Sequence, residues 1–189
     1  MRPSSRTLIL DAAVRLTDRR GITALTLEAT AEEAGLTKGG LLYHFRTRDD
    51  LVLAIQHHLT RHWEERLVAE LGKPWSQATS LERGAAYVRV MMRDEVRHAD
   101  LAFMVEAESN PELARIWDEL MERWVPTPHT LDPRGLDLFL ARLAADGLLL
   151  FNATPGNALP DEVARALRAR VADLVAGEPA NPGERGERP

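Results

Sequence analysis

Residues 26–45, TLEATAEEAGLTKGGLLYHF, hold the side chains best suited to chemistry with another molecule. Lys38, Gly39 and Gly40 follow Thr37 directly, and Tyr43 and His44 come about one helical turn later. A lysine here can donate to guanine O6 or N7, or to a phosphate. Thr26, Thr37, Tyr43, His44 and Arg48 are all able to donate to phosphate oxygens. Two successive glycines let a backbone approach a partner closely, at about 1 kcal/mol each in helix propensity. The set is rich in donors and suits a polyanion such as DNA.

Other chemistries find less support. His58 and His62 are spaced i, i+4 and share a helix face. No Glu follows His58 and no third ligand is identifiable, so no metal site and no cofactor are assigned. The chain has no cysteine, which excludes disulfides and thiol chemistry. There is no glycine-flanked nucleophilic serine, no P-loop and no GxGxxG, so no catalytic residue is assigned.

The elements that must position the donors are short helices. Thr26 suits the N-cap of a helix over Leu27–Ala34, and Gly35 suits its end. Thr37 caps a second helix from Lys38 to about His44. Two helices joined by a glycine-containing turn make a helix-turn-helix, whose second helix can enter a major groove. Upstream, Ile9, Ala12, Ala13 and Leu16 share one face of a helix over about Ser5–Arg19. Downstream, Thr47 and Asp50 form an approximate capping box that opens a long helix, Arg48 to about Leu71.

The rest also reads as helices: from the Thr79–Glu82 capping box to about Arg97, then Asp100–Ser109, Pro111–Trp124, Pro133 to about Phe151, and Asp161–Ala176. Nothing alternates like a strand. The expected class is all-α, with about nine helices in two domains. Residues 1–47 form a three-helix DNA-binding domain and residues 48–176 a ligand-binding and dimerisation domain; a disordered tail spans 177–189. Residues 1–48 carry net charge +3 and the remainder −8. The basic charge therefore sits on the helix-turn-helix end, where phosphates would meet it.

Helices four to eight supply His62, Trp63, Tyr87, Met91, Met92, Phe103, Met104, Trp117, Met121 and Trp124. Met and aromatic side chains can line an adaptable apolar pocket. Glu95 and Glu108 fall within apolar arcs on helical projection and could meet an arginine or a cationic ligand. The alternative is that these stripes are simply core. The helix from Pro133 is apolar around most of its circumference and must be buried on more than one side. A second copy of residues 132–176 could cover it, as a four-helix interface of a homodimer. No run approaches the length of a membrane span, and no secretory segment opens the chain, so a cytoplasmic protein is expected.

The run ILDAAVRL…G…LTLEATAEEAGLTKGGLLYHFRTRDDL resembles the DNA-binding domain of the TetR family of bacterial transcriptional regulators, over about the first 55 residues. The resemblance implies DNA contacts at Thr37, Lys38, Gly39, Tyr43 and His44; Gly40 is added from its place in the recognition helix. The family often has an aromatic just before the matched tyrosine, where this chain has Leu42. More loosely, AESNPELARIWDELMERWVP followed by LAADGLLLF is similar to the C-terminal half of actinobacterial repressors of multidrug-efflux genes in that family. That implies a small-molecule inducer, lipophilic and often cationic, and a palindromic double-stranded DNA operator. An activator, a regulator answering a protein, and a helical dimeric binding protein without DNA function stay open as alternatives.

Overall fold

The computed structural model describes residues 4–93, 97–154 and 156–177. Among them are nine α-helices, two short 3-10 turns and no strand. The helices are α1 (Ser5–Arg20), α2 (Leu27–Glu33), α3 (Lys38–Leu42), α4 (Arg48–Leu71), α5 (Ser80–Arg93), α6 (His98–Ser109), α7 (Pro111–Trp124), α8 (Pro133–Ala153) and α9 (Asp161–Ala176). The all-α expectation holds. α3 is shorter than the span to His44 expected from sequence, and α6 begins two residues before Asp100. Glu95 and the expected tail from 178 lie outside the described residues.

The chain forms two compact units, each drawn from two stretches: Met1–Arg66 with Glu95–Arg123, and Leu67–Asp94 with Trp124–Pro189. The boundary expected at 47/48 falls inside the first unit.

In the first unit, α1 presents Ile9, Leu10, Ala13, Val14 and Leu16 to a core shared with Leu25, Ala31, Leu41, Phe45 and the α4 residues Leu51, Val52, Ile55 and Leu59. α6 closes that core with Ala99, Phe103 and Ala107. Local chemistry fixes the ends. Ser4, Thr26 and Thr37 each cap a helix by accepting from a backbone N–H of its first turn. Gly35 has φ +68°, its N–H donates to the Glu32 carbonyl and the Leu36 N–H to the Ala31 carbonyl. This is a Schellman ending, and it turns the chain sharply into α3. Thr47 and Asp50 complete the capping box of α4 at 3.1 and 3.0 Å.

In the second unit, α5 packs on α8 and α8 on α9. Thr79 and Glu82 form the expected capping box of α5. Lys73 donates to the same Glu82 carboxylate and is the main cause of its pKa falling to about 2. At the start of α8, Arg134 donates to the carbonyls of Leu174 and Val175, satisfying the exposed C-terminal end of α9. α8 packs tightly on α5 at Gly84, where an added Cβ would stand 2.7 Å from Leu138 Cδ2.

Gly84→Ala is therefore expected to destabilise the second unit by about 1–3 kcal/mol through overpacking. A Cβ at Gly147 would meet nothing within 4 Å, so Gly147→Ala is the neutral or stabilising control. Denaturant midpoints check both; an unchanged midpoint for Gly84→Ala would mean that Leu138 swings aside freely.

Candidate nucleic-acid interface and sensor residues

α3 buries one residue, Leu41, and leaves Lys38, Gly39 and Gly40 exposed. Tyr43, just beyond it, is 86% exposed. His44 is half-buried, edge-on to the Tyr43 ring at 5.1 Å. Thr26 and Thr37 cap α2 and α3 and are exposed at the same time. Lys38, Gly39, Gly40 and Tyr43 thus come together on the outside of one turn and a half of chain.

Two expected donors are occupied within the molecule. Lys38 Nζ lies 2.5 Å from Glu28 Oε1, and that hydrogen bond is the main reason the Glu28 carboxyl sits below its usual pKa. Arg48 donates through Nε to the Leu25 carbonyl at 3.0 Å and lies 4.0 Å from Glu106 of α6. Arg48 therefore ties α4 to the chain before α2. Sequence reasoning passed over Arg46, which is exposed and makes no ion pair among the described residues. Its place two residues after His44 was the available signal. Arg15 and Arg19 converge on Glu33, whose carboxyl is lowered chiefly by the Arg19 hydrogen bond. Much of the basic excess of the head is thus internally paired.

The residues expected to sense a ligand divide between the units. In the first, Trp63 is buried and its indole N–H donates to Asp100 Oδ1 at 3.0 Å. Asp100 also accepts from the Arg97 N–H at 3.2 Å. Burial pushes the Asp100 carboxyl up, against the lowering effect of the Trp63 bond. The Arg66 guanidinium stands 4.3 Å from the Trp63 ring centre. Phe103 is buried, Trp117 and Met121 are half-buried, and Met104 and His62 are exposed. Glu108 is exposed as well, so its place in an apolar arc on helical projection does not bury it. The other face of α6, with Ala99, Phe103 and Ala107, is the one that enters the core.

Although exposed overall, His62 is lowered in pKa first by the partial desolvation of its ring and next by Arg97 and Arg66. His58 bonds Asp11 of α1 at 2.8 Å instead of joining His62. Among the described residues no group of three or more His, Cys, Asp or Glu comes together in a metal-like cluster. An unforeseen tie holds α6: Asp18 of α1 accepts from the Ala99 N–H at 2.8 Å.

In the second unit, Tyr87 is buried and donates to Asp146 Oδ1 at 2.9 Å. Burial, then the Asp146 charge, pushes the Tyr87 hydroxyl pKa far up, and burial also raises Asp146. Arg142 lies 3.5 Å from Asp146 and 5.9 Å from the Tyr87 ring centre. Met91 and Met92 are half-buried. Trp124 is fully buried, and its indole N–H has no hydrogen-bond partner among the described residues. A cavity of about 330 Å³ lies between the start of α5, residues 125–132 and the first half of α8.

Comparison with known proteins agrees with this architecture. Residues 9–55 match the family model described as bacterial regulatory proteins, tetR family, and residues 82–176 match the tetracyclin repressor-like C-terminal domain. The chain is a DNA-binding transcriptional regulator of the bacterial helix-turn-helix kind. It belongs to the TetR family.

Among curated relatives, the HTH-type transcriptional regulator BetI of Cronobacter sakazakii is 29% identical over 99% of this chain and 98% of its own. BetI of Brucella anthropi is 31% identical over 61% of each chain. A transcriptional regulator of Saccharomonospora viridis, solved in complex with choline, shares the fold at TM-score 0.67 and 20% identity, covering 92% of this chain and 96% of that one. The multidrug binding protein EbrR, solved with imidazole, aligns at TM-score 0.56 and 23% identity, covering 90% and 96%. Among the described residues no helix is long and apolar enough to cross a membrane.

Proposed function

We propose that the chain is a ligand-responsive repressor that binds a palindromic operator as a homodimer. The observation that carries the DNA half is the exposed cluster of Lys38, Gly39, Gly40 and Tyr43 on a helix that buries only Leu41. α3 lies in the major groove, Lys38 donates to a base edge, and Thr26, Thr37, Tyr43, His44 and Arg46 donate to phosphates. Arg48 positions α4 from within. No catalytic step is part of this reading.

The dimer half rests on α8 and α9. Leu136, Leu140, Leu143, Leu150 and Phe151 of α8 and Val163 and Leu167 of α9 are all exposed. A contiguous apolar face of this kind marks a partner surface, and a second copy of residues 132–176 supplies a matching one.

The ligand is a lipophilic cation. Its support is chemical: ring faces in both units already hold guanidinium groups, Arg66 over Trp63 beside the buried Asp100 and Arg142 near Tyr87 beside the half-buried Asp146. The buried Trp124 N–H leaves a donor for a ligand or water acceptor. The choline bound in the Saccharomonospora regulator, a small quaternary ammonium ion, supports the cationic half of this reading.

Three outcomes follow. Lys38→Ala should weaken operator binding in gel shifts by about 1–3 kcal/mol, and Tyr43→Phe less, with the helical spectrum unchanged; unaltered affinity in both would remove α3 as the reading helix. Wild type should sediment as a dimer at micromolar concentration, and Leu143→Glu as a monomer that no longer binds operator tightly; a monomeric wild type would end the palindrome reading. Choline or a larger aromatic ammonium compound should quench Trp fluorescence and lower operator affinity by the factor by which operator lowers its own, about 5 to 150 for a coupling of 1–3 kcal/mol. If a panel of such cations does neither, the ligand class is wrong while the DNA-binding dimer stands.

A further inference from the structure

We propose that Glu28 is a specificity-determining residue, which with Lys38 reads one C·G base pair in each half-site and keeps Lys38 off the phosphate backbone. The proposal rests on the reading of Lys38 as a DNA contact given above.

The geometry is simple. Glu28 stands in the first turn of α2 and Lys38 at the first position of α3, and their charged groups are 2.5 Å apart. Both side chains are more than half exposed, at 61% and 59%. The pair therefore lies on the surface that α3 offers to a groove, outside the core.

The fold has no need of it. The turn between α2 and α3 is already fixed by the Schellman bonds of Gly35 and Leu36, by the Thr37 cap, and by the burial of Ala31 and Leu41. An exposed ion pair adds little to such a framework. A carboxylate on a DNA-facing surface also repels phosphates and weakens sequence-independent binding. Its presence there points to recognition.

The chemistry fits one base pair. In the major groove a guanine offers O6 and N7 as acceptors, and its cytosine offers the N4 amino group as a donor. Lysine beside glutamate presents the complement, an ammonium donor next to a carboxylate acceptor. Guanine O6 and cytosine N4 are adjacent on the groove edge, so a paired Lys–Glu can meet both without separating. On a phosphate the same carboxylate would be repelled. The pair thus favours a base edge over the backbone and G·C over A·T, where the amino group and O4 stand in the opposite order; a T·A pair keeps the order but sets an apolar methyl beside O4 where guanine offers N7 as a second acceptor for the ammonium.

The test uses the full-length protein and a random-sequence duplex library. Wild type should select a C·G pair at one fixed position of each half-site. Glu28→Ala should relax that position by roughly tenfold in preference. It should also bind a scrambled duplex more tightly, with a salt slope steeper by about 0.9 per half-site as Lys38 turns to a phosphate. Glu28→Ala in a Lys38→Ala background should leave that slope unchanged. If Glu28→Ala alters neither the selected sequence nor scrambled binding while Lys38→Ala still weakens the operator complex, the proposal fails and the Lys38 contact stands. Tighter scrambled binding with no base position relaxed also overturns it, since the carboxylate would then act only as a charge. If Lys38→Ala changes nothing, the contact itself is wrong and the proposal goes with it.

Discussion

The DNA-binding head cannot complete its own core. α1 to α4 leave a gap that Ala99, Phe103 and Ala107 of α6 fill, from a segment more than thirty residues beyond the end of that unit's first stretch. Asp18 of α1 holds the N-terminus of α6, and Arg48 and Glu106 lie close enough to add a weak charge attraction. Burying these apolar side chains is the dominant gain, with the Asp18 hydrogen bond fixing register. A shift of α6 would therefore open apolar surface in the head or carry the head with it.

Two carboxylates drawn partly or wholly out of water give the same molecule a second constraint. Asp100 and Asp146 are each raised in pKa by burial and each partly compensated by an aromatic donor, Trp63 in one unit and Tyr87 in the other. A carboxylate out of water is costly unless its oxygens are met. Arg66 and Arg142 stand near these pairs and moderate the cost. On the proposed reading, an incoming cation would join a charge arrangement that is already nearly balanced and would have to outcompete an arginine.

Much of this was legible in the sequence because it is local. The caps at Thr26, Thr37, Thr47 and Thr79 and the glycine ending at Gly35 depend on residues within a few positions of one another. The apolar stripe of α8 and α9 was legible for the same reason. What escaped was long-range. α6 has two apolar faces, and periodicity alone does not say that Phe103 turns into the head while Met104 and Glu108 turn outward. Asp18 and Ala99 are eighty-one residues apart and Tyr87 and Asp146 fifty-nine, with no spacing rule to join them. The Arg48 bond to Leu25 escaped as well, because the sequence shows charge and cannot show that the Leu25 carbonyl lies beneath it.

α3 keeps its structural anchor and its exposed face almost completely apart. Only Leu41 belongs to the core, while Lys38, Gly39, Gly40 and nearby Tyr43 touch solvent. Substitutions at the outer positions leave the hydrophobic interior untouched, and the Thr37 cap and Leu41 anchor keep the helix in place. The vocabulary of this regulator is therefore free to drift. A duplicated gene could acquire a new set of promoters through a few surface changes, inheriting a sensor and a scaffold already in working order.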